Sequence, residues 1–373
     1  MKLVFVLSAV FCAAAQQPKW TYPLPADDRI VIRKDIEYAR ADGTTLRMDL
    51  YRPNTSGGAL PVVLFLNGVG SDTIKNAIQY TGWGRLVAGA GLAAVTFDTR
   101  EGAIGHDTDA LLAHLESRAA EYGIDAGNLL AYSCSANAGF GVPFVMQDRP
   151  ALRGAVVYYG TGEIQRVRPD LPVFVVRASW DSPTLNRGID RMVSMALSAN
   201  APWEVANIPG HHGFDIVDDT AAAHDAIGRT LAFLKRASSP GVQQEIAHAV
   251  PENRAVAALM AEDWSAAAAA YAKVVADEPA NHEAVRQLGE ARLRLGDYAG
   301  ALDLLGRAQQ MGNPNKGWIA FSAAICEARL NHRDLALKWL AEVPAVPGLM
   351  QRMRNEKAFD PLRDDPRFPA AGR

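Results

Sequence analysis

Three side chains that could act together in nucleophilic catalysis follow apolar runs of the sequence. Ser135 comes first, Asp181 follows 46 residues later, and His212 follows after another 31. A Ser hydroxyl can attack a carbonyl carbon when a His accepts its proton and a carboxylate orients that His. Because ligands bind at the carboxyl ends of parallel strands, we expect the three side chains to converge there.

The segment Leu130–Gly139 predicts a sharp turn from a strand into a helix. A nucleophile at such a turn needs small residues two positions away on each side. Ser135 has Ser133 and Asn137 there, and Asn tolerates the left-handed backbone that Gly would otherwise supply. Ser133 also has acceptable flanks, whereas Cys134 follows two residues after the large Tyr132. The pattern favours Ser135 as the nucleophile, with Ser133 or a strand end without a catalytic role as alternatives.

The acid and the base each have an alternative. Asp181 precedes Ser-Pro, where Asp often caps a turn, but its place between the Ser and the His favours catalysis. Asp98, at the end of an earlier strand, is the alternative acid. His212 is the favoured base and its neighbour His211 the alternative. A metal site of His211, His212 and Asp215 lacks a spaced His or Cys pair, so we predict no metal and no cofactor.

Composition limits the class of protein. The chain has 373 residues, which predicts more than one domain. It has 38 Lys and Arg against 41 Asp and Glu, a net charge of −3, which argues against a nucleic-acid partner. Three Cys exclude a disulfide scaffold. Residues 1–15, with Lys2, an apolar run and a final Ala-Ala-Ala, predict a signal peptide and a secreted or periplasmic protein, with no membrane span in the mature chain.

The next segment, residues 16–236, alternates apolar strands with helical stretches. This alternation predicts an α/β domain with a mostly parallel sheet covered by helices on both faces. A hairpin around Ala41-Asp42-Gly43 comes first. The strands that follow are Pro61–Leu66, Leu92–Phe97, Leu129–Tyr132, Gly154–Tyr159, Val173–Arg177 and Trp203–Ile208.

The order Ser, Asp, His and the short spacings resemble the α/β-hydrolase fold. The run Asp125–Leu130 resembles the approach to the nucleophile turn with Ser135 as nucleophile. Asp49-Leu50-Tyr51-Arg52-Pro53 resembles secreted carboxylesterases, and the compact core with His-Gly-Phe resembles the dienelactone hydrolase family. That family commonly uses Cys where this chain has Ser, and this chain lacks the two glycines of the turn.

The resemblance implies a site that cleaves esters. Ser135 would be the nucleophile, and the N–H groups of Ala136 and Val69 would bind the oxyanion, with Gly68 as the alternative to Val69. Asn67 stands where the family usually has His. The candidate substrate-binding aromatics, each of which could equally pack in the core, are Tyr80, Trp83 and Trp180.

A linker at residues 237–250 and helical repeats at 251–373 complete the predicted domains. Asp263-Trp264 aligns with Asp297-Tyr298, 34 residues on, and a third copy follows around Asp334. The period resembles tetratricopeptide repeats, with a tail over the last copy. Because the repeats hold no plausible nucleophile–base pair, we expect them to contact either a protein partner or the first domain of the same chain.

The sequence thus predicts a secreted serine hydrolase that acts on a small-molecule ester. Two alternatives remain at this stage. The domain could be a catalytically inactive α/β-hydrolase scaffold, because the glycines of the turn are absent. It could also be an acyltransferase that uses the same three residues.

Overall fold

A computed structural model describes residues 20–55 and 57–369. The predicted signal peptide, residues 1–15, lies outside the described residues. The chain divides into two compact units: one contains the described residues up to Leu197 together with Ala201–Ile246, and the other contains Ser198–Asn200 and the residues from Ala247 on. Within the described ranges, no helix has the length and apolar character needed to cross a membrane.

The first unit is built on one eight-stranded sheet. The strands are β1 (Ile30–Ala41), β2 (Thr44–Pro53), β3 (Leu60–Phe65), β4 (Ala93–Phe97), β5 (Ile124–Cys134), β6 (Leu152–Tyr158), β7 (Val173–Ala178) and β8 (Trp203–Ile208). Their order in the sheet is β1-β2-β4-β3-β5-β6-β7-β8. β1 and β2 form an antiparallel hairpin, β2 pairs antiparallel with β4, and the six strands β3 to β8 are parallel. The helices are α1 (Ile78–Gly89), α2 (Ile104–Ser117), α3 (Ala119–Tyr122), α4 (Ala138–Val145), α5 (Pro183–Ser198), α6 (Phe214–Val217) and α7 (Ala221–Ala237).

The central strands are apolar on both faces because helices cover both. Val63 and Phe65 of β3 join the cluster that contains Trp83 of α1. Val62 and Leu64 point to the opposite face and are also fully buried. Burial on both sides explains the continuous apolar run of this strand. The predicted fold class, a mostly parallel α/β sheet covered by helices on both faces and followed by an all-α region, is confirmed in its architecture.

The predicted hairpin is also present. β1 and β2 turn at Asp42 and Gly43, whose φ values are 49° and 75°. Two successive positive φ values match the twist of an antiparallel pair, and Asp followed by Gly adopts them readily.

The segment predicted as a linker is helical. α8 (Pro240–Met260) begins directly after Ser239, whose hydroxyl accepts a hydrogen bond from the N–H of Val242. Pro is favoured at the first position of a helix, where its missing N–H costs nothing, and Ser is a favoured N-cap. The run Ser-Ser-Pro-Gly therefore starts a helix, and residues 240–250 of the predicted linker are helical.

The second unit contains helices only, within the residues that the structure describes. After α8 they are α9 (Trp264–Asp277), α10 (His282–Arg294), α11 (Tyr298–Gln310), α12 (Lys316–Arg329), α13 (Arg333–Ala341) and α14 (Pro347–Asn355). Asp263 and Asp297, which the sequence aligns, cap α9 and α11 in the same way, each accepting a hydrogen bond from an N–H three residues on. The helical region agrees with the prediction, and its assignment to tetratricopeptide repeats stays a prediction.

The tail after α14 packs on the helical unit as expected. Phe359 and Leu362, in the short 3-10 helix Lys357–Leu362, are buried, and the Phe359 ring contacts Phe321 of α12. Phe368 packs against the Phe359 ring at 6.3 Å between centroids. These side chains cover apolar surface that the last helices would otherwise expose.

Candidate active site

Ser135 occupies the turn between β5 and α4. A single 3-10 turn, Ser135–Asn137, separates the strand from the helix, and Ser135 has a φ of 51°. A non-glycine residue in this region is strained and persists only where its surroundings hold it, which is common at active sites. Ser133 lies inside β5 and is buried. The strained turn position therefore belongs to Ser135, as the favoured prediction has it.

Glycines on neighbouring segments make room for this turn. A Cβ on Gly160 would lie 2.7 Å from the carbonyl oxygen of Ser135, and a Cβ on Gly68 would lie 2.5 Å from that of Asn137. A Cβ on Gly141 would lie 2.5 Å from the Cβ of Ser133. The space that a G-x-S-x-G turn gains from its own glycines is supplied here by Gly68 and Gly160 on facing segments and by Gly141 in α4, the helix that follows the turn.

The structure brings Ser135, His212 and Asp181 into one hydrogen-bonded series. The Oγ atom of Ser135 lies 2.7 Å from Nε2 of His212, and Nδ1 of His212 lies 2.6 Å from Oδ2 of Asp181. The Asp181 side chain is 8 % exposed and the His212 side chain is 44 % exposed. A buried carboxylate that fixes an accessible imidazole beside a hydroxyl is an arrangement that can activate the hydroxyl.

Backbone hydrogen bonds hold the two loops that carry Asp181 and His212. The N–H of Ser179 donates to the carbonyl of Ile208 at 2.8 Å, and the N–H of Trp180 donates to that of Gly210 at 3.1 Å. These bonds extend the β7–β8 pairing beyond the strand ends. The acid and the base are thereby set side by side by the sheet.

Asp98, the alternative acid, and His211, the alternative base, form hydrogen bonds with other residues. His211 donates its backbone N–H to Oδ2 of Asp218, and its Nδ1 lies 3.4 Å from Oδ1 of the same residue. Asp98 is buried and accepts a hydrogen bond from the N–H of Arg47 at 3.3 Å. Neither side chain bonds to Ser135 or His212.

The thiol of Cys134, next to Ser135, is in an environment that makes it unreactive. Cys134 is buried, and burial raises its pKa to about 12. Its Sγ lies 3.7 Å from Oε1 of Gln79. Because the thiolate is the reactive form, Cys134 stays an inert neutral thiol near neutral pH.

The N–H groups of Ala136 and Val69 lie in the segments expected to bind an oxyanion. Ala136 is exposed at the start of the turn, and neither N–H has a hydrogen-bond acceptor among residues 20–55 and 57–369. The N–H of Gly68 is occupied, because it donates to Oδ1 of Asn137 at 2.7 Å. Of the two alternatives on this loop, Val69 is the free donor.

Asn67 and Asn137 hold this loop against the turn. The Asn67 side chain donates to the carbonyl oxygens of Phe97, at 3.2 Å, and of Ser71. Asn137, which belongs to the turn, accepts a hydrogen bond from the N–H of Gly68 in the loop. Asn67 therefore anchors the loop from within.

A buried polar cluster beneath His212 was not found from the sequence. The ring of Tyr159 lies 4.8 Å from that of His212, centroid to centroid, and Tyr159 has a φ of 31°. Its hydroxyl donates to Oδ1 of Asp215 at 2.6 Å. Gln79 and Trp83 donate to Oδ2 of Asp215 at 2.9 and 2.8 Å. A Tyr at the end of an apolar strand and an Asp three residues after the His were the only signals in the sequence.

Asp215 is fully buried, and burial raises the pKa of its carboxyl group, although three side-chain hydrogen bonds and one backbone hydrogen bond act to lower it. Its bonds to Tyr159, Gln79 and Trp83 engage both oxygens. With His211 paired to Asp218 and His212 paired to Asp181, these groups do not converge on one point. Among the described residues, no group of three His, Cys, Asp or Glu could hold a metal ion.

The aromatic residues expected at the substrate wall separate into two groups. Trp180 is 60 % exposed, beside the loop of His211. Tyr80 and Trp83 are buried in the core, where Tyr80 donates to the carbonyl of Leu66 and Trp83 to Asp215. The prediction that Tyr80 and Trp83 bind substrate is wrong, because their ring faces are taken up by core packing.

Comparison with known proteins gives a limited result. No protein-family model matches the chain, and no curated protein matches it. Among solved structures, the chain is similar to a bacterial heroin esterase, with 16 % identity over 58 % of this chain and 86 % of that one and a TM-score of 0.48. It is similar to a fungal esterase from Rhizomucor miehei, with 14 % identity, 60 % and 86 % coverage and a TM-score of 0.48. A thermostable esterase from Pseudomonas putida ECU1011 shows 15 % identity, 58 % and 86 % coverage and a TM-score of 0.47.

Proposed function

We propose that this protein is a serine hydrolase that cleaves carboxylic esters. The observation that carries the proposal is the series Ser135–His212–Asp181, with its nucleophile on a strained turn at the carboxyl edge of the sheet. A strained backbone costs folding free energy, so a strained residue whose accessible hydroxyl lies beside an imidazole nitrogen is better explained by catalysis than by a purely structural role.

The reaction begins with attack of the Ser135 Oγ on the ester carbonyl carbon. His212 accepts the hydroxyl proton through Nε2, and Asp181 stabilises the imidazolium through Nδ1–H. The carbonyl oxygen gains negative charge, which the N–H groups of Ala136 and Val69 bind.

Collapse of this intermediate breaks the bond to the alcohol oxygen. His212 returns the proton to that oxygen, the alcohol leaves, and an acyl group remains on Ser135. A water molecule then attacks the acyl carbon while His212 accepts its proton. The free acid leaves and the Ser135 hydroxyl is restored.

The test is covalent labelling of the full chain with a fluorescent fluorophosphonate, together with hydrolysis of p-nitrophenyl acetate. A fluorophosphonate reacts only with an activated hydroxyl. We expect the wild-type chain to be labelled and active, and Ser135→Ala to be neither. Ser133→Ala is the matched control, because it removes a hydroxyl two residues away and should keep both properties.

Three results would contradict the proposal in different ways. Labelling that persists in Ser135→Ala and disappears in Ser133→Ala would move the nucleophile to Ser133. A folded wild-type chain with neither labelling nor hydrolysis would favour an inactive scaffold. A labelled chain that forms mainly a new ester when an alcohol acceptor is added would favour acyl transfer.

A further inference from the structure

A pocket of about 200 Å³ lies on the β1–β2 hairpin, and no part of the proposed hydrolase chemistry uses it. We call it the hairpin pocket. Its lining includes two arginines, Arg33 of β1 and Arg52 of β2, and no acidic residue. Because drug-sized ligands occupy larger sites, a pocket of this size suits one small chemical group.

The register of the hairpin sets the two arginines on the same face of the sheet. Val31 is paired with Arg52, and Arg33 is paired with Leu50. Residues two apart on a strand point to the same face, so Arg33 and Arg52 are diagonal neighbours, a relationship that separates two positions by about 7 to 8 Å. Two long side chains at this separation can reach one small anion between them.

The Arg52 guanidinium has no anionic partner in the protein. Among residues 20–55 and 57–369, its side chain makes no hydrogen bond or ion pair, and its Nε atom is buried. The group packs against Gly123, where a Cβ would lie 2.7 Å from Nη2 of Arg52. A buried donor on a charged group normally has an acceptor, because removing it from water without one costs free energy. Arg52 is therefore placed to receive an anion from outside the chain.

Arg33 shares its carboxylate with a second arginine. Nη2 of Arg33 donates to Oε1 of Glu121 at 3.0 Å, and Nη1 of Arg118 donates to Oε2 of the same residue at 2.7 Å. One carboxylate thus balances two guanidinium groups, while Arg52 has no carboxylate at all. The surroundings of the hairpin pocket keep a positive excess, which favours an anionic ligand.

An aromatic ring fixes the orientation of Arg33. Its Cζ atom lies 5.0 Å from the centroid of the Tyr122 ring, and Tyr122 also lines the pocket. Within the part of the chain that the structure describes, Nε and Nη1 of Arg33 have no acceptor. Stacking holds the plane of a guanidinium and leaves its remaining N–H groups available to a ligand.

We propose that the hairpin pocket binds a phosphate group. Arg52 and Arg33 donate to its oxygens from two different strands, and the Thr55 hydroxyl at the rim supplies a neutral donor. A carboxylate presents two oxygens in one plane and is satisfied by one guanidinium. A tetrahedral phosphate presents oxygens in several directions and accepts from both, which selects it over a carboxylate.

The test is isothermal titration calorimetry of the full chain with inorganic phosphate at fixed ionic strength. Acetate is the comparison ligand, because it is a planar carboxylate that one arginine can satisfy. We expect phosphate to bind at least about tenfold more tightly than acetate, since it engages two guanidinium groups by charge-assisted hydrogen bonds.

Two variants remove the arginines one at a time. Arg52→Gln and Arg33→Gln should each weaken phosphate binding by at least about tenfold. The Arg33 side chain is 45 % exposed, so its replacement keeps the test valid even if Arg52→Gln does not fold. Arg40→Gln is the matched control: it removes an exposed arginine of the same hairpin, paired with Glu37 and outside the pocket. It should bind phosphate like the wild-type chain. Circular dichroism checks the fold of each chain.

Phosphate in solution and the phosphate of a lipid headgroup offer the same chemistry. Cosedimentation with phosphatidylcholine vesicles, with and without phosphatidic acid, separates these sources. Sedimentation that needs phosphatidic acid and Arg52 would assign the pocket to a headgroup, and calorimetric binding without sedimentation would assign it to a soluble phosphate.

The proposal is independent of the hydrolase function, and p-nitrophenyl acetate hydrolysis should be the same in the wild-type chain and the three variants. It is overturned if the wild-type chain binds phosphate no better than acetate. It is also overturned if folded Arg52→Gln and Arg33→Gln chains bind phosphate like the wild-type chain, or if Arg40→Gln loses as much affinity as they do.

Discussion

The Tyr159 ring lies against the His212 imidazole, and the Tyr159 hydroxyl is anchored to the buried carboxyl group of Asp215. The contact joins the core of the sheet domain to the side chain that would move protons. A phenol ring held in this way restricts the orientations that the imidazole can take.

The first prediction follows from this contact. Tyr159→Phe should lower the free energy of unfolding by about 1 to 3 kcal/mol, because it removes a buried hydrogen bond to Asp215. It should also lower kcat, since the ring beneath His212 is no longer anchored. Urea unfolding and ester hydrolysis measure the two effects.

Tyr158→Phe is the control for that variant. The Tyr158 hydroxyl is equally buried and bonds to Thr230 at 2.6 Å, but the structure gives no contact between its ring and His212. It should therefore lose stability and keep kcat. Equal losses of kcat in the two variants would mean that Tyr159 has no positioning role.

The second prediction concerns the acid and the base. Asp181→Asn should lower kcat by about 10⁴-fold, because the amide no longer holds His212 in the tautomer that accepts the Ser135 proton. His212→Ala should cost at least as much. His211→Ala removes the adjacent ring and should retain most of the activity, as measured with p-nitrophenyl acetate; a larger loss in His211→Ala than in His212→Ala would reassign the base.

The third prediction concerns the oxyanion loop. Asn137→Ala removes the hydrogen bond that ties Gly68 to the turn, so the N–H of Val69 should lose its fixed direction. We expect kcat to fall by less than the roughly 10²- to 10³-fold that a whole donor contributes, with KM little changed. Asn128→Ala, which removes a comparable side-chain bond to the carbonyl of Ser238, should leave kcat unchanged. Unchanged kcat in Asn137→Ala would remove this loop from the proposed oxyanion site.

The fourth prediction is a pH dependence of stability. Burial raises the pKa of Asp98 from 3.8 to about 6, with Lys75 opposing the rise and Asp72 and Asp49 adding to it. A carboxyl group with a raised folded-state pKa binds protons more tightly when folded, so its contribution is present below about pH 4 and is lost as the pH rises through about 6.

Asp98→Asn stays neutral and can still accept the hydrogen bond from Arg47. The variant should therefore gain stability relative to the wild-type chain between pH 4 and pH 7, as measured by urea unfolding at both values. A constant difference between the two chains would show that Asp98 titrates normally.

The fifth prediction concerns the independence of the first unit. A chain that ends at Ile246 keeps all residues of the proposed site and keeps Gln243, whose side chain bonds to the carbonyls of Arg153 and Ala237. We expect it to fold and to hydrolyse p-nitrophenyl acetate, with Ser135→Ala in the same chain as the inactive control. A folded but inactive truncated chain would mean that the helical unit contributes to the site.

The sequence by itself determined the features that depend on local pattern. Continuous apolar strands such as β3 predicted a parallel sheet covered on both faces, because a strand with no polar face has no side to turn to water. The small residues around Ser135 limited the nucleophile to two hydroxyls, because only a strained turn demands them. The order Ser, Asp, His predicted which strand ends would meet. The repeat of 34 residues aligned Asp263 with Asp297, and these two residues cap equivalent helices in the structure.

Only the tertiary structure decided the features that depend on distant segments. Trp83 and Tyr80 could have lined a site or filled the core, and the packing of α1 on the sheet buries them. The hydrogen bond from Gly68 to Asn137, 69 residues apart, leaves Val69 as the free donor. Gly68 and Gly160 make room for the turn because the fold brings them close to it, although they are distant from it in the sequence. The hydrogen bond from Tyr159 to Asp215 also depends on the tertiary structure. A buried carboxyl group can accept hydrogen bonds only from donors that the fold brings to it.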